Sequence, residues 1–167
     1  GHMGVGGGIV FDSSPMEEYR GCLLKASFLT RTRPEFQLIE TMFWSGEFRF
    51  LSMHLDRLES SAFYFDFVFH RESVLKHLDD LSKTFEAGEP YRVRLLMAAD
   101  GNLTFSSSRF HVEPSDVRLK ISGKTTSSTD VFLRHKTTIR EMYDEQYREA
   151  LQEGFDEVLF TNEIGEL

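Results

Sequence analysis

An α+β fold is what this sequence predicts, on three observations. Short runs rich in aromatic and β-branched residues, such as Phe36-Gln37-Leu38-Ile39-Glu40-Thr41-Met42-Phe43-Trp44 and Tyr91-Arg92-Val93-Arg94-Leu95-Leu96-Met97, carry the pattern of strands. Between them lie stretches with apolar residues at three- and four-residue spacing, the period of an amphipathic helix. Gly, Pro and Asp mark the joins, and Asp100-Gly101 is a hairpin signal that sets two strands antiparallel. With 167 residues, 40% of them hydrophobic, the chain suits one domain with a core or a piece of something larger.

Gly1-His2-Met3 reads as a cloning scar and is set aside. The glycine-rich Gly4-Val5-Gly6-Gly7-Gly8 lacks the preceding strand and following helix of a dinucleotide fingerprint. Ser14-Pro15-Met16-Glu17 opens a helix, with Ser14 as N-cap, Pro15 as its first residue and Glu17 as its third. That helix extends to about Leu29. Cys22 lies among Leu23, Leu24 and Ala26 and reads as a small buried hydrophobe. It is the single cysteine, which excludes an internal disulfide and fits a reducing cytoplasm.

Arg31-Thr32-Arg33-Pro34 is a polar junction ahead of the 36–44 strand. Ser45-Gly46 breaks that strand, and Glu47-Phe48-Arg49-Phe50 resumes it as a hairpin. Met53 to Phe65 forms a helix on Leu55, Leu58, Ala62 and Phe65. Glu72 to Glu86 forms another on Val74, Leu75, Leu78, Leu81 and Phe85, closed by Gly88 and Pro90. Asp79-Asp80 is a solvated face, because no third ligand stands at metal-binding spacing. The strand 91–97 and its return from Leu103 follow. Alternation places Arg92 and Arg94 on one face, ordinarily the solvent face. Val117-Arg118-Leu119-Lys120-Ile121 is a further strand, and Ser122 to Asp130 is a linker by composition.

Lys136 stands where this irregular polar segment gives way to a helix. Ile139, Met142, Tyr143, Tyr147, Ala150 and Leu151 mark its buried face, and Gly154 ends it as a C′ residue. The strand Phe155-Asp156-Glu157-Val158-Leu159-Phe160 and the turn Thr161-Asn162-Glu163-Ile164-Gly165 close the chain. A lysine at a helix mouth beneath strands can be desolvated, which lowers its pKa and frees a nucleophilic amine. Most lysines at helix starts are solvated instead, so the pattern alone leaves both possibilities open. A net charge of -8 argues against a general nucleic-acid binder. No run of about 18 apolar residues predicts a membrane span, and no signal peptide is read before the first strand.

The run KTTIREMYDEQYREALQEGFDEVLFTNEIGEL, beginning at Lys136, resembles the class IV pyridoxal-phosphate enzymes: branched-chain and D-amino-acid aminotransferases and aminodeoxychorismate lyase. The shared pattern is a lysine before a Thr/Asn/Arg-containing helix, then G-x-D-E with two hydrophobic residues, then N-x-x-G. IETMFW resembles the first strand pair of that family's small domain, and His54-Leu55-Asp56-Arg57-Leu58 matches its H-h-x-R-L. The resemblance implies pyridoxal 5′-phosphate as cofactor and Lys136 as the Schiff-base lysine. It gives Arg57 the cofactor phosphate, a role that suits a guanidinium fork. It makes Arg94, on a strand bordering the substrate pocket, a candidate for a substrate carboxylate. His54 reads as structural and Tyr143 as a packing residue.

The fold so implied is a fold-type IV small domain of antiparallel sheet plus two helices over 31–121. A linker at 122–130 and the opening helix and strand of a large domain at 131–167 follow. The family's pattern continues past Leu167 with a ring-nitrogen glutamate and phosphate loops, so an incomplete and inactive piece is expected. A second resemblance covers 4–30: GVGGGIVFDSSPMEEYRGCLLKA is similar to the closing segment of component I of aminodeoxychorismate synthase. There Glu18 matches the first acid of an E-x-x-E pair, but Gly21 replaces the metal-binding second, so neither a metal site nor chorismate amination carries over.

Together the two resemblances imply a fused 4-aminobenzoate synthase with a lyase region that eliminates pyruvate from 4-amino-4-deoxychorismate. The expected partners are a small-molecule substrate and a second copy of the chain, with neither nucleic acid nor membrane. The alternatives are a class IV aminotransferase and a folded fragment without cofactor.

Overall fold

The computed structural model describes residues 14–30, 35–111 and 116–167. The chain divides into two compact units, 1–35 and 36–167. The first holds α1 (Pro15–Thr30). The Ser14 carbonyl accepts from the Glu18 amide at 3.0 Å, as an N-cap carbonyl does, so the predicted start is met. Cys22 is a half-buried free thiol rather than a buried one. The glycine-rich stretch of 4–8 and the junction at 31–34 lie outside the described residues.

The second unit is built on an antiparallel sheet of β1 (Leu38–Trp44), β2 (Tyr91–Met97) and β3 (Leu103–Arg109), in that spatial order. Leu38 stands opposite Met97, Glu40 opposite Leu95 and Met42 opposite Val93, so these six share one face. Against that face pack Leu55, Leu58 and Ala62 of α2 (Leu51–Phe65) and Val74 and Leu78 of α3 (Arg71–Ser82). Each buried Leu, Val or Met side chain there contributes about 1.5–3 kcal/mol. The opposite face carries Thr41, Arg92, Arg94, Ser106 and Ser108.

Two elements differ from expectation. The second arm of the 47–50 hairpin reduces to one bridge, Trp44 with Phe48. β1 pairs with β2 instead, and the chain turns through Phe50, at φ 53°, straight into α2. The reason is the core: α2 must begin at once for Leu55, Leu58 and Ala62 to seal the sheet. α3 ends at Ser82, short of Glu86, in a turn where the Phe85 amide donates to the Ser82 carbonyl. That turn lets Phe85 stack on Tyr91 (4.2 Å between centroids) and meet Trp44 edge-on (5.0 Å). Leu75, expected on the buried face, is exposed.

β4 (Leu119–Ile121) pairs in parallel with β5 (Glu157–Leu159) in a separate two-stranded sheet. A parallel pair needs a crossover, here α4 (Val131–Arg134) and α5 (Glu141–Gln152). The buried positions of α5 are Gln146 and Ala150, with Met142 and Tyr143 half-buried. Tyr147 and Leu151, expected inside, are exposed. Gln146 takes the inward place because Ser122 Oγ donates to its Oε1 at 2.8 Å, satisfying a polar group that burial would otherwise penalise. Among the described residues no helix is long and apolar enough to cross a membrane.

Gly154, at φ 87°, closes α5 as predicted. Its amide donates to the Leu151 carbonyl at 3.1 Å and the Phe155 amide to Ala150 at 2.9 Å, the two bonds of a Schellman motif. A Cβ at this position would meet only Arg118 Nη1, at 3.6 Å. The cost of Gly154→Ala is therefore conformational, about 1–2 kcal/mol, and should appear as a lowered midpoint in denaturant unfolding. An unchanged midpoint would contradict this account of the helix end.

Candidate active site

Lys136 does not sit at a helix mouth, since α5 starts only at Glu141. It lies in an extended segment laid along the free edge of β1. The Ile39 amide donates to the Lys136 carbonyl and the Thr138 amide to the Gln37 carbonyl, both at 2.9 Å. The Gln37 amide donates in turn to Thr138 Oγ1 at 2.9 Å. Thr137 pairs with Leu38 and is buried, so alternation turns Lys136 away from the core face.

The residues before it are held from the other side. Asp130 caps α4 by accepting from the Phe132 amide at 2.9 Å, and Phe132 packs on Phe36 and Phe65. His135 stacks on Tyr64 (4.5 Å), with its Nδ1 3.0 Å from the buried Ser61 Oγ. Lys136 is thus fixed between an anchor on α2 and an anchor on β1.

A cavity of about 250 Å³ opens here, lined by Arg57, His135, Lys136, Thr137, Arg140 and Tyr143 among others. Burial pushes the Lys136 amine below its ordinary pKa. Glu40 opposes that shift, while the Arg57, Arg140 and Arg94 charges reinforce it. Arg57 and Arg94 come from α2 and β2, so tertiary folding brings their charges to the amine, while Arg140 lies close to Lys136 along the chain itself. Arg140 lies over the Tyr143 ring at 5.7 Å, and Tyr143 meets Phe160 edge-on at 4.8 Å, the packing expected of it. Burial also pushes the Tyr143 hydroxyl upward.

Arg57 lines the cavity but is also committed inward. Its Nε donates to Glu40 Oε1 at 2.7 Å and its Nη2 to Oε2 at 2.5 Å. His54 Nδ1 lies 2.8 Å from the same Oε2, which gives His54 a structural place. Arg94 is exposed on the sheet face opposite the core, paired with Thr41 and Ser106. Glu40 is the residue that sequence reasoning missed. Its signal was a lone acid at an inward position of LIETMF, followed in the next helix by a histidine and an arginine one turn apart.

Comparison with known proteins gives the chain a family and a fold. The family described as amino-transferase class IV matches residues 37–167. A proposed amino-acid aminotransferase from Mesorhizobium loti is similar at 32% identity and TM-score 0.70, over 77% of this chain and 63% of that one. A proposed 4-amino-4-deoxychorismate lyase is similar at 22% identity and TM-score 0.67, over 83% of this chain and 57% of that one. A second such protein, from Legionella pneumophila, is similar at 20% identity and TM-score 0.66, over 83% and 55%. For the last two the likeness is one of fold. The chain therefore spans less than two thirds of the length of these structures. No curated protein matches it.

The amines differ in a measurable way. Asp79 and Asp80 raise the pKa of Lys83, and Glu145 raises that of Lys124, whereas burial lowers Lys136. Competitive amine labelling followed by peptide mass spectrometry should find Lys136 reacting first at about pH 8, with its advantage vanishing above the ordinary lysine pKa of about 10.4. Equal reactivity of the three at every pH would remove the desolvated amine.

Proposed function

This chain belongs to the class IV aminotransferase family, and from that premise we propose that it supplies the catalytic lysine and the phosphate-holding arginine of a pyridoxal-phosphate enzyme. The activity proposed for the protein as a whole is elimination of pyruvate from 4-amino-4-deoxychorismate to give 4-aminobenzoate, in a polypeptide that also carries a synthase. One observation supports this above the rest: a desolvated amine and a guanidinium share one cavity.

The residues suit the cofactor. An aldehyde needs a neutral amine, and burial with neighbouring cations disfavours the protonated form of Lys136. A phosphate needs a fixed cation with donors to spare, which Arg57 offers in its Nη1 hydrogens. When bound, pyridoxal phosphate supplies the electron sink for the reacting carbon.

The remaining work belongs to this chain. Lys136 Nζ takes the proton from the carbon bearing the substrate's amino group and delivers it to the departing enolpyruvate, which leaves as pyruvate. Arg94 faces outward within electrostatic reach of Lys136 and holds a substrate carboxylate. Thr137 and Thr138 keep the lysine's segment on β1, so its backbone stays fixed while Nζ moves between the two proton positions.

Homodimerisation and a cytoplasmic setting complete the proposal. β3 is the outer strand of its sheet among the described residues, and an open edge invites pairing. The lone cysteine fits a reducing compartment. Amino-acid transamination is the second possibility, favoured by the Mesorhizobium loti likeness at 32% identity. The synthase-like stretch over 4–30 favours the lyase.

The whole polypeptide given 4-amino-4-deoxychorismate should release pyruvate and 4-aminobenzoate without an amino acceptor, read by coupled pyruvate assay. Lys136→Ala should reduce the rate by at least about a thousandfold, the scale of removing a covalent and acid–base group together. Transfer of an amino group to a keto acid, with no pyruvate released, would decide for the transaminase. Full lyase activity in Lys136→Ala would end both assignments.

A further inference from the structure

Glu40 is the only charged side chain in the buried set among the described residues, at 1% exposure. It stands between Leu38 and Met42 on the inward face of β1, where alternation calls for an apolar residue. Arg57 Nε and Nη2 and His54 Nδ1 take up its two oxygens at 2.7, 2.5 and 2.8 Å. A buried ion pair is seldom more stable than apolar packing of the same volume, so stability alone does not account for a carboxylate here.

The geometry of the contact suggests what it does. Glu40 engages the Nε–Nη2 edge of the guanidinium, which fixes the plane of a side chain that is otherwise 48% exposed. The Nη1 hydrogens are left without a protein partner among the described residues, on a residue that lines the Lys136 cavity. A free arginine at that exposure samples many rotamers, and a two-point carboxylate contact selects one.

Resting on the assignment of Arg57 to the phosphate, we propose that Glu40 is a positioning residue that aims the open edge of Arg57 at a phosphate monoester in the Lys136 cavity. It touches neither cofactor nor substrate. His54 Nδ1 makes a second contact with Glu40 Oε2 and keeps the carboxylate from turning.

The test uses the full chain with graded pyridoxal 5′-phosphate or unphosphorylated pyridoxal, fixed with borohydride. Occupancy of Lys136 is read by peptide mass spectrometry. The readout is the preference for the phosphorylated aldehyde, the ratio of the two half-saturating concentrations. Glu40→Gln should lower that preference about tenfold or more, the scale of a lost charge-assisted contact; the loss of Glu40's charge at Lys136 falls on both aldehydes alike and cancels in the ratio. Arg57→Ala should lower it as far, and Glu40→Gln added to Arg57→Ala should lower it no further.

A loss shared equally by both aldehydes marks a purely structural carboxylate and overturns the proposal. Arg57→Ala losing the preference while Glu40→Gln keeps it overturns the positioning role alone. Arg57→Ala keeping the preference removes the premise, and the proposal with it. If Glu40→Gln does not fold, judged by circular dichroism, Arg57→Lys decides. Lysine keeps the charge but cannot make the two-point contact, so a fall to the alanine level supports positioning and a wild-type preference overturns it.

Discussion

The site depends on one strand pairing: the short extended segment around Thr137, hydrogen bonded to the free edge of β1. Those backbone bonds set Lys136 beside the strand that also carries Glu40. Side-chain period in a strand is two, so a one-residue slip would turn the Lys136 side chain toward the core face. The buried Thr137 and the hydrogen bond from Gln37 to Thr138 Oγ1 resist such a slip. Register is therefore what keeps the Lys136 amine off the core face and at the cavity.

Electrostatics follow from that placement. Cations from three separate parts of the fold bear on one amine, and a single buried anion opposes them. Placing Glu40 inside costs several kcal/mol in desolvation, offset by the guanidinium and imidazole around it. The same pair links core and cavity: Arg57 reaches inward to a buried strand residue and outward to open space. An arrangement so costly to bury is more readily understood as orienting a functional group than as holding the sheet together.

Much of the fold was readable from pattern. The α2 apolar positions, the β2 strand and the Gly154 helix end stand where periodicity and turn chemistry put them. Misses came where packing overrode local preference. Glu47 to Phe50 has strand composition, yet β1 pairs with β2 and the chain is needed as the entry to α2. Tyr147 and Leu151 fit an apolar stripe, but Gln146 occupies the inward place because a partner from outside the helix satisfies it. Lys136 lies on an extended edge and not at a helix mouth, because backbone pairing with β1 claims the residues ahead of α5.

By itself the sequence determined the α+β class, most element boundaries and the family, since these rest on local periodicity and on motifs contiguous in the chain. Only the tertiary structure decided which charges meet. Arg57, Arg94 and Glu40 are far from Lys136 in sequence, and their convergence on it is set by strand register and helix packing. Coulombic coupling depends on distance in space and on burial, and neither is written in the spacing of residues along a chain.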